Sequence, residues 1–169
     1  MTEAAVQGTD KPTVLVTGAA GFIGSAVAVR LAGMGYRVVG CDNFNDYYDP
    51  ALKRHRVEAL LDPAGVPCET VELSDGEQTA ALFERVKPAL VVHLAAQAGV
   101  RYSLKNPAAY VQANLVAFGH ILEGCRKVST QHLVRQQQQR LRRQRQDPVQ
   151  RNRPDRRAGL AVRGDQEGQ

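Results

Sequence analysis

Residues 13–24 read TVLVTGAAGFIG, a β-rich pentapeptide that runs into three glycines at every third position. The segment Thr13–Thr17 predicts a short strand, because β-branched residues fill it and a glycine ends it. Residues 22–34 have helical spacing and predict the helix that follows. A strand that enters a helix through a glycine-rich loop places the free N–H groups of the helix where phosphate groups can bind.

Each glycine has an expected part in such a loop. Gly18 permits the tight turn, Gly21 lets the backbone approach a pyrophosphate, and Gly24 lets the helix pack closely on the strand. The spacing is GxxGxxG rather than GxGxxG, so a glycine-rich turn without a ligand is the alternative interpretation.

An acidic residue at the end of the second predicted strand favours the ligand-binding interpretation. Asp42 follows Gly24 by 18 residues, close to the roughly 20 expected for an acid that binds the adenosine ribose. No arginine directly follows it, and its charge would repel the extra phosphate of NADP. We therefore predict a dinucleotide loop with a preference for NAD.

The rest of the pattern alternates between strand and helix. This alternation predicts an α/β fold with right-handed βαβ units. We expect a Rossmann-like, doubly wound parallel sheet of strand order 3-2-1-4, truncated after four to five strands. The other predicted strands span 36–41, 68–73, 90–94 and 132–134, and the other helices span 50–61, 76–86 and 107–127, with Asp75 as a helix cap.

Two helices carry apolar stripes that we expect to face the core. The first helix has Ile23, Val27 and Leu31. The last has Val111, Leu115, Phe118, Leu122 and Cys125. His93 lies inside an apolar strand, where we expect a hydrogen-bonded core residue rather than a catalytic acid or base.

Charge separates the chain at position 135. Residues 1–134 have a net charge of −1, whereas residues 135–169 contain 10 arginines and 4 acids, a net of +6. This second segment lacks aromatic residues and has few large apolar ones, so we expect disorder there. An arginine-rich arm that binds nucleic acid is the alternative, but it lacks aromatics for base stacking. The expected domains are a disordered leader at 1–12, a partial nucleotide-binding domain at 13–134 and the tail at 135–169.

Composition excludes several other classes. The three cysteines form no CxxC pair and no metal-ligand spacing with the histidines, so we expect no metal site and a reducing, cytoplasmic location. No apolar run approaches the roughly 18–20 residues of a membrane span, and we expect no membrane partner.

Two further stretches, DNFNDYYDPALKRHR at 42–56 and HLAAQAGVRYSLKNP at 93–107, add a family resemblance. With TGAAGFIG, they resemble the NAD-dependent epimerase/dehydratase family of extended short-chain dehydrogenases/reductases, and within it the UDP-glucuronate 4-epimerases. The resemblance implies a tightly bound NAD that takes hydride from C4 of a UDP-sugar and returns it to the other face.

The resemblance also implies a set of site residues. In the family's DLxD motif, this chain has Glu72-Leu73-Ser74-Asp75. Asp75 would lie near the adenine, Asn114 behind the nicotinamide, and Arg101 against the UDP-sugar, although Arg101 could instead be a solvated loop charge and Asn114 an exposed polar residue. The implied cofactor-binding residues are Gly18, Ala20, Gly21, Phe22, Ile23, Gly24, Asp42, Asn43, Asp75, Leu94, Ala95, Ala96, Gln97 and Asn114.

The proton-transfer motif of the family, YxxxK, is absent from the sequence. We therefore predict no catalytic residue and an inactive chain, either of epimerase lineage or serving as a non-catalytic NAD-binding module. We also do not expect the family's homodimer, since a later interface helix is missing.

A frameshift would explain the loss. If the last two bases of each codon join the first base of the next, residues 135–142 can read ASSSSVYG and residues 160–168 can read SLYAATKKA. Both resemble family segments, so we infer a frameshift near Val134.

Overall fold

The computed structural model describes residues 11–135. The predicted disordered leader and tail therefore fall almost wholly outside the described residues. Five parallel strands form one sheet, and their bounds are β1 Thr13–Thr17, β2 Arg37–Asp42, β3 Cys68–Thr70, β4 Leu90–His93 and β5 His132–Arg135.

Helices connect the strands. One of the predicted helices, at 50–61, changes to a π-helical turn after its first two turns, and the helix Val100–Lys105 was not predicted. The bounds are α1 Phe22–Gly33, α2 Pro50–Arg56 with the π turn Val57–Leu61, α3 Gly76–Val86, α4 Val100–Lys105, α5 Pro107–Val111 with the π turn Gln112–Val116, and α6 Ala117–Lys127.

The strand order β3-β2-β1-β4-β5 confirms the predicted order and the fifth edge strand. The chain winds from β1 toward β3 on one side and then returns to β4 on the other. The order thus reverses between β1 and β4. In an open α/β sheet, the crevice at the carboxyl ends of such strands is the usual ligand site.

Alternate side chains of β1 enter two separate cores, because successive residues of a strand point to opposite faces. Leu15 packs with residues of α3 and α6, including Phe83 and Ile121. Val14 and Val16 pack on the other face with residues that include Ala28 of α1. All three β1 side chains are fully buried, as expected for a parallel sheet covered by helices on both faces.

The predicted stripe of α1 was right for Leu31, which packs on the core, and wrong for Ile23. Ile23 is 38% exposed, and the buried residues of the helix are the small ones, Gly24, Ser25 and Ala28. A Cβ added at Gly24 would lie 2.0 Å from the carbonyl oxygen of Gly18. The helix therefore packs so closely that small residues face the sheet and larger ones lie at its flanks.

The predicted stripe of the last helix was also largely wrong. Leu115 is 64% exposed, and Val111 and Leu122 are exposed as well, although Phe118 and Cys125 do pack on the core. In α6, which follows the π turn, the buried face consists of Ala117, Ile121 and Gly124. The π turn Gln112–Val116 inserts an extra residue into the helix and so shifts the face that precedes it.

Candidate functional site

An open cleft lies at the carboxyl ends of the central strands. Its walls come from the glycine loop after β1, the ends of β2 and β3, and the segment after β4. Eight of the predicted cofactor residues line it: Gly18, Gly21, Asp42, Asn43, Leu94, Ala95, Ala96 and Gln97. The predicted residues Ala20, Phe22, Ile23, Gly24, Asp75, Asn114 and Arg101 are not among its lining residues.

Gly18 brings the two sides of the cleft into contact. Its φ is +68°, and a Cβ there would lie 2.8 Å from the backbone nitrogen of Ala95. Both the left-handed backbone and the lack of space require glycine. The glycine loop and the segment after β4 therefore approach one another at main-chain distance.

The amino end of α1 opens toward this loop without a side-chain cap. Gly21 is the capping residue, and the first intrahelical bond runs from the Ser25 N–H to the Gly21 carbonyl at 3.0 Å. The amides of Phe22, Ile23 and Gly24 precede that bond and have no intrahelical acceptor. Although these side chains do not line the cleft, their N–H groups form the positive end of the helix, which suits an anion.

Asp42 ends β2 as a buried carboxylate that is already paired. Its Oδ1 accepts hydrogen bonds from Lys53 Nζ at 2.8 Å and from the Phe44 N–H at 3.0 Å. Lys53 is also buried and donates to Asn45 Oδ1 at 3.3 Å. Lys53 and Asn45 line the cleft beside Asp42. Sequence reasoning missed Lys53, although it lies within the resembling stretch at 42–56.

Glu72 occupies the wall where Asp75 was expected. Asn43 donates from Nδ2 to Glu72 Oε2 at 2.9 Å, and the Ser74 hydroxyl donates to Oε1 at 2.8 Å. Partial burial acts to raise the pKa of Glu72, but these hydrogen bonds outweigh it and leave the pKa below its ordinary value. Glu72 is therefore a fixed anion in the cleft.

Asp75 instead caps α3, as the sequence also predicted. Its Oδ1 accepts from the N–H groups of Glu77 and Gln78 at 2.9 and 3.1 Å. Hydrogen bonding from Gln78 is the main reason that the pKa of Asp75 is lowered. The structure thus gives Asp75 a structural contact and does not bring it to the cleft.

The comparisons with known proteins place this geometry in a family. Residues 14–136 match the model of the NAD dependent epimerase/dehydratase family. The chain belongs to this family. It is 50% identical to UDP-glucuronate 4-epimerase 4 of Arabidopsis thaliana over 122 residues. The aligned region covers 72% of this chain and 28% of that protein. The chain therefore spans less than a third of the length of this curated relative.

The chain is also similar to solved structures of epimerases. A Thermus thermophilus UDP-glucose 4-epimerase in complex with NAD is 36% identical, with a TM-score of 0.62 over 72% of this chain and 36% of that one. A Thermotoga maritima UDP-glucose 4-epimerase with UDP-glucose is 32% identical, with a TM-score of 0.63 over 73% of this chain and 37% of that one.

Asn114, which does not line the cleft, fixes the segment that does. Its Oδ1 accepts from the Gln97 N–H at 2.9 Å, and its Nδ2 donates to the Gln97 carbonyl at 3.1 Å. This residue of the epimerase-family fold lies in the π turn Gln112–Val116. The paired hydrogen bonds contradict the alternative that Asn114 is only an exposed polar residue.

Two tyrosines line the cleft, and two others lie close to them. Tyr47 and Tyr48 line it, with ring centroids 4.7 Å apart, and Tyr102 lies 5.0 Å from Tyr47. The hydroxyl of Tyr110 contacts the carbonyl oxygens of Ala98 and Gly99. None of these tyrosines has a lysine four residues later, so the family's Tyr–Lys arrangement is absent among them.

Arg101 lies on α4 with an exposed side chain, outside the cleft wall. In residues 11–135, no group of histidine, cysteine and acidic side chains is suited to hold a metal ion, and no helix is long and apolar enough to cross a membrane. The cysteines in that range are free, and burial raises the pKa of Cys68 to about 12.

Thr17 and His93 join β1 to β4 beneath the cleft. Thr17 Oγ1 lies 2.8 Å from His93 Nδ1 and accepts from the N–H groups of Leu94 and Ala95, both at 3.2 Å. His93 is 2% exposed and its ring stacks on that of Phe118, with centroids 5.5 Å apart. The structure confirms His93 as a hydrogen-bonded core residue.

Proposed function

We propose that residues 13–135 form the NAD-binding part of a UDP-sugar epimerase fold. The close approach of Gly18 to Ala95, beside the uncapped amino end of α1, supports this most directly. A Cβ at Gly18 would collide with the Ala95 backbone and push the two loops apart. The glycine therefore keeps the two walls of the cleft together, and the free N–H groups of α1 beside it are what a dinucleotide pyrophosphate needs.

The polar side chains fit the two ends of such a cofactor. The amides of Phe22, Ile23 and Gly24 would bind the pyrophosphate. Asp42 would accept from the adenosine ribose through the carboxylate oxygen that Lys53 leaves open. Bound NAD would supply a hydride acceptor and donor for a sugar carbon.

The remaining cofactor residues would act through their shape. Leu94, Ala95 and Ala96 give a wall with little side-chain bulk, and Gln97 follows them at a position that Asn114 fixes. Asn43 would assist Asp42 at the ribose, and Glu72 would face the adenine end in place of Asp75. Ala20 would contribute its main chain to the glycine loop.

For the substrate class, we propose a UDP-sugar, of the UDP-glucuronate or UDP-glucose type. The identity to UDP-glucuronate 4-epimerases of Arabidopsis thaliana supports the first, and the likeness to UDP-glucose 4-epimerase structures supports the second. Arg101 is the proposed contact to the UDP-sugar, which requires α4 to present it differently when the substrate binds.

We further propose that the 169-residue chain does not itself catalyse epimerisation. Hydride transfer from a sugar hydroxyl carbon requires a group that removes the hydroxyl proton. The sequence has no lysine after Lys127 and no YxxxK motif. In residues 11–135, none of the tyrosines nearest the cleft has a lysine at that spacing.

Calorimetry with the purified chain tests the cofactor proposal. NAD should bind more tightly than NADP, because the Asp42 carboxylate opposes a 2′-phosphate, even though Lys53 offsets part of its charge. Asp42→Asn should reduce that difference by removing the charge while retaining an acceptor. A folded chain that binds neither dinucleotide would overturn the proposal, and equal affinity for both would overturn the role of Asp42.

A further inference from the structure

The hydrogen bonds of Thr17 determine the protonation of His93. A hydroxyl has one proton to donate and two lone pairs with which to accept. The Ala95 N–H donates to Thr17 Oγ1, and the Leu94 N–H is shared between Oγ1 and the Thr17 carbonyl oxygen, so both amides face the lone pairs of the hydroxyl. The hydroxyl proton must then go to His93 Nδ1, which accepts at 2.8 Å. The proton of the neutral imidazole is therefore on Nε2.

This bond lies where the two walls of the cleft meet. Thr17 directly precedes Gly18, and His93 directly precedes the segment Leu94–Gln97 that lines the opposite wall. The missing Cβ of Gly18 would be 2.8 Å from the Ala95 nitrogen. That same Ala95 N–H is held by Thr17 Oγ1. A shift of the hydroxyl would thus change the gap between the walls directly.

The His93 ring is itself held in place from the helix side. It stacks on Phe118 of α6 at an interplanar angle of 21°. The guanidinium of Arg135 lies 3.9 Å from the centroid of the Phe118 ring. Residues of β1, α6 and β5 thus hold the imidazole and its hydroxyl partner in place. Because Thr17 and His93 are both buried, water cannot replace either partner in their hydrogen bond.

We propose that neutral His93 is a positioning residue that acts through Thr17 to set the separation of the two cleft walls, and thereby the affinity for the dinucleotide. This inference rests on the proposed NAD binding. It assigns His93 no contact with the cofactor. Its effect passes through one hydroxyl proton and the two amides of Leu94 and Ala95.

The first test is spectroscopic and does not depend on NAD. In the full chain with ¹⁵N-labelled histidine, NMR at neutral pH should show His93 with an unprotonated Nδ1 and a protonated Nε2. In the uniformly ¹⁵N-labelled chain, the Ala95 amide should exchange slowly with solvent, and faster in Thr17→Val, whereas the Leu94 amide retains the Thr17 carbonyl as an acceptor. A protonated Nδ1 in the wild-type chain would overturn the proposal, whether or not NAD binds.

The second test measures NAD affinity in matched variants. Thr17→Val should weaken binding by about tenfold, the equivalent of one hydrogen bond, whereas Thr17→Ser should restore it because the hydroxyl returns. His93→Leu should weaken it and His93→Asn should retain most of it, since the Asn Oδ1 can accept in place of Nδ1. Thr130→Val is the control, because the Thr130 hydroxyl bonds the Pro88 carbonyl at the other end of β4.

The outcomes separate the two proposals. If the wild-type chain does not bind NAD while NMR shows the expected imidazole, the cofactor proposal fails and the Thr17–His93 arrangement stands. If folded Thr17→Val and His93→Leu chains bind NAD as the wild type does, the positioning role is wrong. If those variants do not fold, the comparison between Thr17→Ser, His93→Asn and wild type decides, since loss of affinity in both conservative variants would contradict the role.

Discussion

The ammonium of Lys53 lies 2.8 Å from the Asp42 carboxylate, and both side chains are buried at the end of β2. The acid that the sequence marks as a ribose ligand is therefore already one half of an ion pair. Removal of one partner of a buried pair leaves a charge without compensation, which is far more costly than the pair itself is stabilising.

Lys53→Met should accordingly destabilise the fold by about 3 kcal/mol, the lower end of the range for breaking a buried pair. Urea denaturation of the full chain measures it. The double variant Lys53→Met/Asp42→Asn is the control and should recover much of the loss, because no buried charge remains. If the double variant is as unstable as the single one, the loss comes from the missing ammonium of Lys53, which also bonds Asn45, and not from an unpaired Asp42 charge.

Gly18→Ala should abolish NAD binding, because the added Cβ would lie 2.8 Å from the Ala95 nitrogen in a backbone of φ +68°. Gly33→Ala, where a Cβ meets nothing within 4 Å, is the matched control and should bind as wild type. Calorimetry with NAD compares the two. Full affinity in Gly18→Ala would show that the loops do not need this close approach.

The stability of the chain should fall as the pH drops from about 6.5 to 4. Burial lowers the pKa of His93 from 6.5 to about 4, and the charge of Arg135, which faces it through Phe118, adds to the effect. In that window the unfolded chain binds more protons than the native one, so the contribution of neutral His93 is complete above pH 6.5 and is lost toward pH 4. The loss should be about 3 kcal/mol.

Denaturation curves across this range check the effect. His93→Asn has no titratable group at this position and should show a flatter profile between pH 6.5 and 4. An unchanged profile in that variant would mean that residues other than His93 cause the pH dependence. The side chains of Thr17 and Phe118, which contact His93, do not titrate.

The purified chain should not epimerise UDP-glucuronate or UDP-glucose. Loss of the proton-transfer group alone costs about 10²–10⁴ in rate, and poor positioning of the sugar against the nicotinamide can add about 7–11 kcal/mol to the barrier. Epimer formation, followed by chromatography with NAD and chain in excess, measures it. Turnover at typical enzyme rates of about 1–10³ per second would show that some other group of the chain transfers the proton.

The nucleotide sequence near codon 134 should continue, in the other phase, into an open reading frame. This prediction rests on the hidden ASSSSVYG and SLYAATKKA at 135–142 and 160–168, which lie outside the described residues except for Arg135. Resequencing of the gene decides it. A shifted phase that is interrupted soon after those positions would reject the frameshift and leave the arginine-rich tail without that explanation.

The sequence was sufficient where one residue type satisfies a local requirement. Gly18 in a left-handed turn, Asp75 as a helix cap and the alternation of strands and helices all follow from short-range rules, and the structure confirms them. The sequence was insufficient for contacts between side chains that are far apart along the chain. The pairing of Asp42 with Lys53 and of Asn43 with Glu72 depends on how separate segments of the chain meet, and the spacing of residues in the sequence does not predict this.

The π turn Gln112–Val116 changes the helical phase between Pro107–Val111 and Ala117–Lys127. Within the turn, Asn114 is oriented to meet both backbone groups of Gln97, and after it, Ala117, Ile121 and Gly124 face the core. Deletion of a single residue within the turn would rotate one phase against the other by about 100°. The length of this helix is thus as tightly constrained as its composition. A one-residue shift within it would replace the residues that hold the cleft with residues that face solvent.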